Sequence, residues 1–401
     1  DGANGLVLSA ETAVGEYPMA CVNMLNKLIG HTLLTNKEKR EDETFFEFLE
    51  RKNYLLDFNI SSSLLAPHGG RLVQRVAQTI PSESKLKNLT KIKLNEYQLR
   101  DVEQIAIGTF SPIEGFMGSK DFNSVLDKMQ LSNGLVWPIP IVLDVDENKA
   151  NELNIGENIA LTNESEQIIG ILNLEEKYTF DKETMATKMY STNDRTHPGV
   201  NKVMSMNETL LGGKIILYHR MEGNNKEYEL TPKQARTLFE GKGWSKVVGF
   251  HTRNPPHRGH EFIQLDALEK ENCDGLFINP VVGQKKEGDF NSKYIIKAYE
   301  LMNKNIYPGN SVAFGTFSTY SRYAGPREAL FTALCHKNFG CSNFIVGRDH
   351  TGVQDFYHPK ASQNIFDRFQ DIGIKAVCYD EVFYSPLKKK YIHSKDSPNH
   401  S

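Results

Sequence analysis

From Lys214 onward, short apolar runs alternate with helical stretches, and this alternation constrains the fold more than any other feature of the chain. Residues 246–250, 275–282, 311–317, 343–346 and 375–379 read as strands, and residues 259–270, 291–303, 326–338 and 362–372 as the helices between and after them. Strands separated by helices at this spacing need right-handed crossovers, which gives a parallel sheet with helices on both faces. Such sheets bind ligands outside the carboxyl ends of their strands. The unusual polar residues of the chain fall just there.

Residues 61–213 differ: short β-rich runs such as 136–145 and 167–174 are broken by Pro, Gly, Asn and Asp, which predicts a mostly β or α+β domain. The 401 residues exceed the ~250–300 at which one core stops growing, so more than one domain is required. The expected division is a linker over 31–60, a β-rich domain over 61–213, an α/β domain over 214–390 and a tail over 391–401. Residues 36–44 form a dense mixed-charge run and read as a solvated helix face or linker. A net charge of −3 supplies no general field for nucleic acid or an anionic membrane, so an anionic ligand must be held by a local cluster. No apolar run approaches the ~18 residues of a membrane span and the first residues lack a signal-peptide pattern, so a cytoplasmic protein is expected. The five cysteines, Cys21, Cys273, Cys335, Cys341 and Cys378, form no Cys-x-x-Cys pair; they read as buried thiols without a metal. The chain opens on Asp1, inside what looks like a motif, and reads as part of something longer.

The most informative stretch is His251-Thr252-Arg253-Asn254-Pro255-Pro256-His257-Arg258-Gly259-His260, at a strand exit where a helix opens. A helix N-terminus offers unpaired N–H groups and partial positive charge, and His257 and His260 are expected to share one helical edge facing a polyanion. A metal-binding histidine pair is the alternative, opposed by the two neighbouring arginines and the lack of a following carboxylate. Three more strand exits carry basic, glycine-containing loops: 283–289, 320–328 with Arg322 and Arg327 beside Pro326, and 347–352 with Arg348 and His350. One sheet would gather all four at one edge.

Together with Asn279-Pro-Val-Val-Gly283, Ala324-Gly-Pro-Arg-Glu-Ala329 and Phe344-Ile-Val-Gly-Arg-Asp-His350, these clusters resemble the ATP sulfurylases. Earlier matches are His68-Gly-Gly-Arg71, Ser111-Pro-Ile-Glu-Gly-Phe-Met117 and Asp194-Arg-Thr-His-Pro-Gly199, and the resemblance runs from about residue 61 to 386. It implies an α/β protein with a PUA-like β-rich N-terminal domain and a Rossmann-like nucleotidyltransferase domain. It further implies that ATP and sulfate are converted to adenosine 5'-phosphosulfate and pyrophosphate, with Mg2+ arriving on ATP, no nucleic-acid or membrane partner, and a homo-oligomeric assembly.

By the same resemblance, Thr252, Arg253, Asn254, His257 and His260 are the catalytic-motif residues, with Arg253 clamping sulfate and Asn254 holding phosphate oxygens. His257 and His260 would stabilise phosphate charge, and Gly347, Arg348, Asp349 and His350 would form the nucleotide-binding turn. Thr351 and His251 would contact sulfate, His251 also ATP, and Val382 would line the adenine pocket. His251 stands where many members carry Gln, the stretch 384–391 lacks a cysteine metal site found in many bacterial members, and Ser401 precedes a Ser-Gly-Thr-containing segment expected to follow. Residues 1–18 are similar to the end of the pyruvate kinase barrel, with Thr12 in an active-site position, and mark residues 1–30 as a fusion remnant. Three other readings remain: part of a bifunctional pyruvate kinase/ATP sulfurylase parent, a related nucleotidyltransferase with a phosphorylated acceptor, and a degenerate regulatory or scaffolding domain that binds nucleotide without catalysis.

Overall fold

The computed structural model describes residues 62–396 apart from 224, 284–288, 349, 351 and 354. The pyruvate kinase-like stretch 1–30, the linker 31–60 and Cys21 lie outside the described residues. The first sheet contains β1 (Lys91–Lys93), β2 (Gly115–Phe116), β3 (Leu143–Val145), β4 (Asn158–Thr162), β5 (Ile168–Thr179) and β6 (Thr209–Leu217). Its order is β1-β4-β5-β6-β2, with β3 also on β6; β1 and β4 are parallel and the other pairs antiparallel. Within the apolar run 136–145 only the last three residues are strand, and β6 carries the first sheet on to Leu217, past the expected boundary at Gly213.

The second sheet is wholly parallel: β7 (Val247–Thr252), β8 (Gly275–Pro280), β9 (Val312–Phe314), β10 (Asn343–Val346) and β11 (Lys375–Cys378), in the order β11-β10-β7-β8-β9. From β7 the chain steps outward through β8 and β9, then returns to β10 on the other side of β7. This reversal opens a crevice at the carboxyl ends of β7 and β10, the place where doubly wound sheets bind ligands. One face of the sheet buries Val248, Phe250, Leu276 and Ile278 against Ile263 and Ala267 of the helix Arg258–Lys270 and Ile295 and Tyr299 of the helix Ser292–Asn305. The helix Pro326–Phe339 lies on the other face, where Gly249 is required: a Cβ there would stand 2.6 Å from the His336 ring.

The strand expected over 311–317 is continuous only over Val312–Phe314, and two further expectations about elements fail. The helix expected over 362–372 is instead one α-turn, Ala361–Asn364, followed by two 3-10 turns, Ile365–Arg368 and Gln370–Ile372. Glycine at 373 and a run of alternating polar and aromatic residues give it no continuous apolar stripe to bury. Residues 390–393, mostly assigned to the tail, form β13 (Lys390–His393), paired antiparallel with β12 (Val382–Ser385) and packed on the helix Arg258–Lys270 through Phe262 and His393. Among the thiols, Cys335 and Cys341 are buried, whereas Cys273 is half-buried and Cys378 exposed, because Cys378 ends the edge strand β11. No helix among the described residues is long and apolar enough to cross a membrane.

The two sheets share one core. Phe110 and Trp137 of the first region meet Phe331 of the second at ring distances of 5.1 and 5.5 Å. Polar struts cross the same seam. The Asn338 amide donates to the carbonyls of Thr109 and Ser111 at 2.9 Å each, while its oxygen accepts from the backbone N–H of His68 at 2.8 Å. Arg327 donates to three carbonyls, Val125 and Pro138 at 3.0 Å and Leu126 at 2.7 Å.

Candidate active site

The crevice between β7 and β10 is walled by the two strand exits that carry most of the expected site residues. Thr252 ends β7 and is buried; its hydroxyl oxygen accepts from the backbone N–H of Asn254 at 3.1 Å, which turns the chain out of the strand. Asn254 is therefore held by its backbone, with its side chain exposed. Arg253 between them lays its guanidinium 5.6 Å from the centre of the Tyr323 ring.

His257 and His260 meet at one edge of the helix start, with His257 as the N-cap of Arg258–Lys270: its backbone is extended, and its Nδ1 accepts from the backbone N–H of His260 at 3.3 Å. Proline at 255 and 256 keeps the preceding chain extended, so the helix cannot begin earlier. The cap has a chemical consequence. A ring whose Nδ1 accepts carries its proton on Nε2 when neutral, so His257 offers an N–H donor without a net charge. The His260 ring stacks on it at 3.7 Å. Burial, and secondarily the neighbouring His257, push the His260 pKa down to about 4, and burial also lowers that of His257.

His251 sits deeper, near the end of β7. Its ring lies 5.7 Å from that of His336, 5.7 Å from Phe317 and 6.1 Å from His350, and its Nδ1 is 3.2 Å from the carbonyl oxygen of Asn279 on the paired strand. Burial first, then His336 and His350, hold it well below the ordinary histidine range. His350 follows β10 and its pKa falls to about 3 through burial, His336 and Arg253, in that order. Gly347 and Arg348 also leave β10; Arg348 pairs loosely with Glu381 at 3.5 Å, both well exposed. Val382 opens β12 and packs on the start of the helix at Gly259, where a Cβ would stand 3.4 Å from Val382 Cγ2. Thus His251, Thr252, Arg253, Asn254, His257 and His260 stand at the end of β7 and just after it, Gly347, Arg348 and His350 follow the adjacent β10, and Val382 meets the first group at Gly259, while Asp349 and Thr351 lie outside the described residues.

The third expected loop does not join them as an anion site. Arg322 is buried, donates to the Asp101 carboxylate at 2.5 Å and lies 4.2 Å from the Tyr320 ring and 4.7 Å from that of Phe331. Arg327, also buried, spends its donors on the three carbonyls across the seam. Both arginines hold the regions together instead of facing a ligand, because Asp101 and the free carbonyls of the first region meet them in the folded chain. Their loop still matters. Glu328 accepts the backbone N–H of Arg322 at 2.9 Å and of Ala324 at 3.0 Å, and Tyr323 between them adopts a left-handed φ of 57°. The Tyr323 carbonyl accepts from the Tyr357 hydroxyl at 2.9 Å, and Tyr357 lies 3.2 Å from Nε2 of His197. Gly325 lets the Tyr357 ring come so close, since a Cβ there would stand 2.7 Å from it. Sequence reasoning gave Tyr323 and Tyr357 no role; the only local signal was Ala324-Gly325 before Pro326.

Among the described residues no group of three or more His, Cys, Asp or Glu side chains is placed to hold a metal ion. The crevice is built of neutral imidazoles and a guanidinium, a set suited to anions.

The ATP-sulfurylase family model matches residues 226–401, and a PUA-like domain model matches residues 65–220. The sulfate adenylyltransferase of Ignicoccus hospitalis is 44% identical over 83% of this chain and 87% of its own length. The chain belongs to the ATP-sulfurylase family. The sulfate adenylyltransferases of Halothermothrix orenii, 44% identical over 80% of the chain and 85% of theirs, and Pyrococcus abyssi, 43% over 83% and 87%, are similar to it in the same way. The fold also resembles that of a hexameric APS kinase from Thiobacillus denitrificans, with a TM-score of 0.65 at 21% identity, covering 84% of this chain. The chain spans 61% of that protein's length, and the likeness concerns the fold alone. Residues 1–30 fall outside both family-model matches.

Proposed function

We propose that this ATP-sulfurylase family member is a sulfate adenylyltransferase, joining sulfate to the α-phosphate of ATP with release of pyrophosphate, and that the crevice between β7 and β10 is its active site. The observation that carries this reading is that Arg253 and the capped His257–His260 pair follow β7 while Gly347, Arg348 and His350 follow the adjacent β10, at the sheet's switch point. Sulfate is fully ionised near neutral pH, so its oxygen needs no general base; it needs to be held in line with the α-phosphorus against charge repulsion. Arg253 supplies the charge for sulfate, with Asn254 and the Nε2–H of His257 as donors to phosphate oxygens. His260, stacked behind His257, keeps that ring in place. Gly347, Arg348, Asp349, His350 and Val382 bind the nucleotide, while Thr351 and His251 complete the sulfate side. Magnesium arrives on the nucleotide, offsetting phosphate charge; the chain itself dedicates no carboxylate cage to it among the described residues.

Two domains that meet after the end of β6, between residues 217 and 226, a homo-oligomeric assembly, a cytoplasmic location and a pyruvate kinase remnant at residues 1–30 belong to the same proposal. The deciding experiment is sulfate-dependent pyrophosphate release from ATP by the purified chain. Release with other oxyanion acceptors but not sulfate would point to a different nucleotidyltransferase, and absence of nucleotide binding to a scaffold. Pyruvate formation from phosphoenolpyruvate and ADP would show that residues 1–30 are more than a remnant.

A further inference from the structure

His251 and His257 leave the same strand exit with opposite hydrogen-bonding character. A carbonyl oxygen only accepts, so the contact from Nδ1 of His251 to the Asn279 oxygen at 3.2 Å places that ring's proton on Nδ1. Nε2 of the neutral ring is then a bare lone pair. In His257 the cap places the proton on Nε2 instead. Sulfate carries no proton near neutral pH and presents only acceptor oxygens, so it can hydrogen-bond to His257 as it stands but meets a lone pair at His251.

The groups packed around His251 keep the ring neutral. His336 comes from the helix Pro326–Phe339, His350 from the turn after β10, Arg253 from the loop after β7 and Phe317 from the chain after β9. The carboxylate of Glu328 interacts with Arg253. Burial, His336, His350 and Arg253 all disfavour a second proton on this ring, whereas a bound dianion would favour it.

We propose that His251 discriminates between oxyanions: sulfate binds together with one proton taken from solvent onto Nε2, whereas an oxyanion with its own O–H, such as hydrogenphosphate, donates that hydrogen to the bare Nε2 and binds without proton uptake. This inference rests on the sulfate-site reading above. The proton is a ligand of the complex and is not consumed: as the sulfate oxygen bonds to the α-phosphorus and pyrophosphate leaves, it stays on the ring until the product departs and it returns to solvent.

The test compares wild type with His251→Gln, whose amide donates an N–H at every pH and does not titrate. Wild-type kcat/KM for sulfate should fall toward tenfold per pH unit on the alkaline side, one proton being coupled to binding. The Gln variant should lose this slope, with the titration of ATP common to both. Competitive inhibition by inorganic phosphate, measured above pH ~8 where its protonation is constant, should stay level in wild type while the sulfate KM rises. Superimposable sulfate profiles in the two proteins, or phosphate and sulfate weakening in parallel, overturn the proposal. Should the variant fail to fold, wild type titrated with sulfate in the presence of a non-reacting ATP analogue, in two buffers of different ionisation enthalpy, should show uptake of about one proton; equal heats overturn it. Wild type that releases no pyrophosphate with sulfate at any pH overturns the active-site reading itself, an outcome distinct from turnover without a pH difference.

Discussion

Replacing Asp101 by Asn tests whether the third basic loop is structural. Asp101 and Arg322 are 6% and 7% exposed, and the guanidinium is surrounded by the rings of Phe110, Tyr320 and Phe331. Asn keeps an oxygen for hydrogen bonding but removes the charge, leaving Arg322 with the Thr319 hydroxyl, the Tyr320 carbonyl and the nearby Glu328. Breaking a buried pair by removing one partner costs about 3–5 kcal/mol, and the acceptors that survive put this case near the lower end. A loss of ~3 kcal/mol raises the unfolded fraction by more than about a hundredfold and, at an m-value of ~3 kcal/mol/M, lowers the urea midpoint by about 1 M. The two tryptophans provide the assay. Trp137 and Trp244 are both buried, one in each region, so Trp137→Phe and Trp244→Phe backgrounds report the two sides separately. Both signals should shift, because the pair spans the seam. Converting both partners, Asp101→Leu with Arg322→Met, should cost less than the two single changes together. An Asp101→Asn protein within ~0.5 kcal/mol of wild type, coupled with an Arg322→Met protein altered only in its sulfate KM, would refute the reasoning and return Arg322 to the anion site.

Arg253→Ala should remove most sulfate-dependent turnover while leaving the urea midpoint nearly unchanged, since charge-assisted bonds to an anion contribute ~1.5–3 kcal/mol each; near-wild-type turnover would exclude Arg253 as the clamp. Tyr323→Phe should keep the ring under the guanidinium and hence the activity, whereas Tyr323→Leu should lower kcat more than it raises the ATP KM; equal effects of Phe and Leu would contradict the positioning role. His260→Ala should likewise lower kcat more than it weakens sulfate binding, and a change confined to the sulfate KM would be inconsistent with a role on the phosphate side. Acid should destabilise the fold through its buried histidines. His68 and His336 have pKa values lowered to about 4, mainly by burial, so between the unfolded value of ~6.5 and about 4 the unfolded chain binds protons that the folded chain does not. Each residue then contributes stability that is complete above pH ~6.5 and is lost by up to ~1.4 kcal/mol per pH unit as pH falls through this window. Circular dichroism against pH should show it, and His336→Leu should flatten the loss if the variant folds.

The alternation of strands and helices was legible because the inner strands β7, β8 and β10 are mostly apolar runs, as expected when both faces are covered, and residues 343–346 matched the observed strand end to end. The crevice was legible for the same reason: polar residues directly after such runs must stand at the sheet's carboxyl edge. What each basic residue faces was not legible. Arg253 and Arg322 look alike in sequence, yet one lines the crevice and the other pairs with Asp101, more than two hundred positions earlier in the chain. Local pattern carries no information on such a partner. The tautomers of His251 and His257 depend likewise on a carbonyl of the neighbouring strand and on a helix cap, and both exist only once the chain has folded.

The seam between the two sheets limits what can be exchanged between relatives. Phe331 needs the rings of Phe110 and Trp137, and Arg327 needs the carbonyls of Val125, Leu126 and Pro138, so a cut between residues 220 and 226 separates side chains from their sockets. A chimera joining one relative's N-terminal half to another's C-terminal half inherits mismatched aromatic volumes and orphaned guanidinium donors, even if each half is intact in its own parent. Recombination libraries built from this protein should therefore carry residues 110, 125–138, 327 and 331 as one block across the junction.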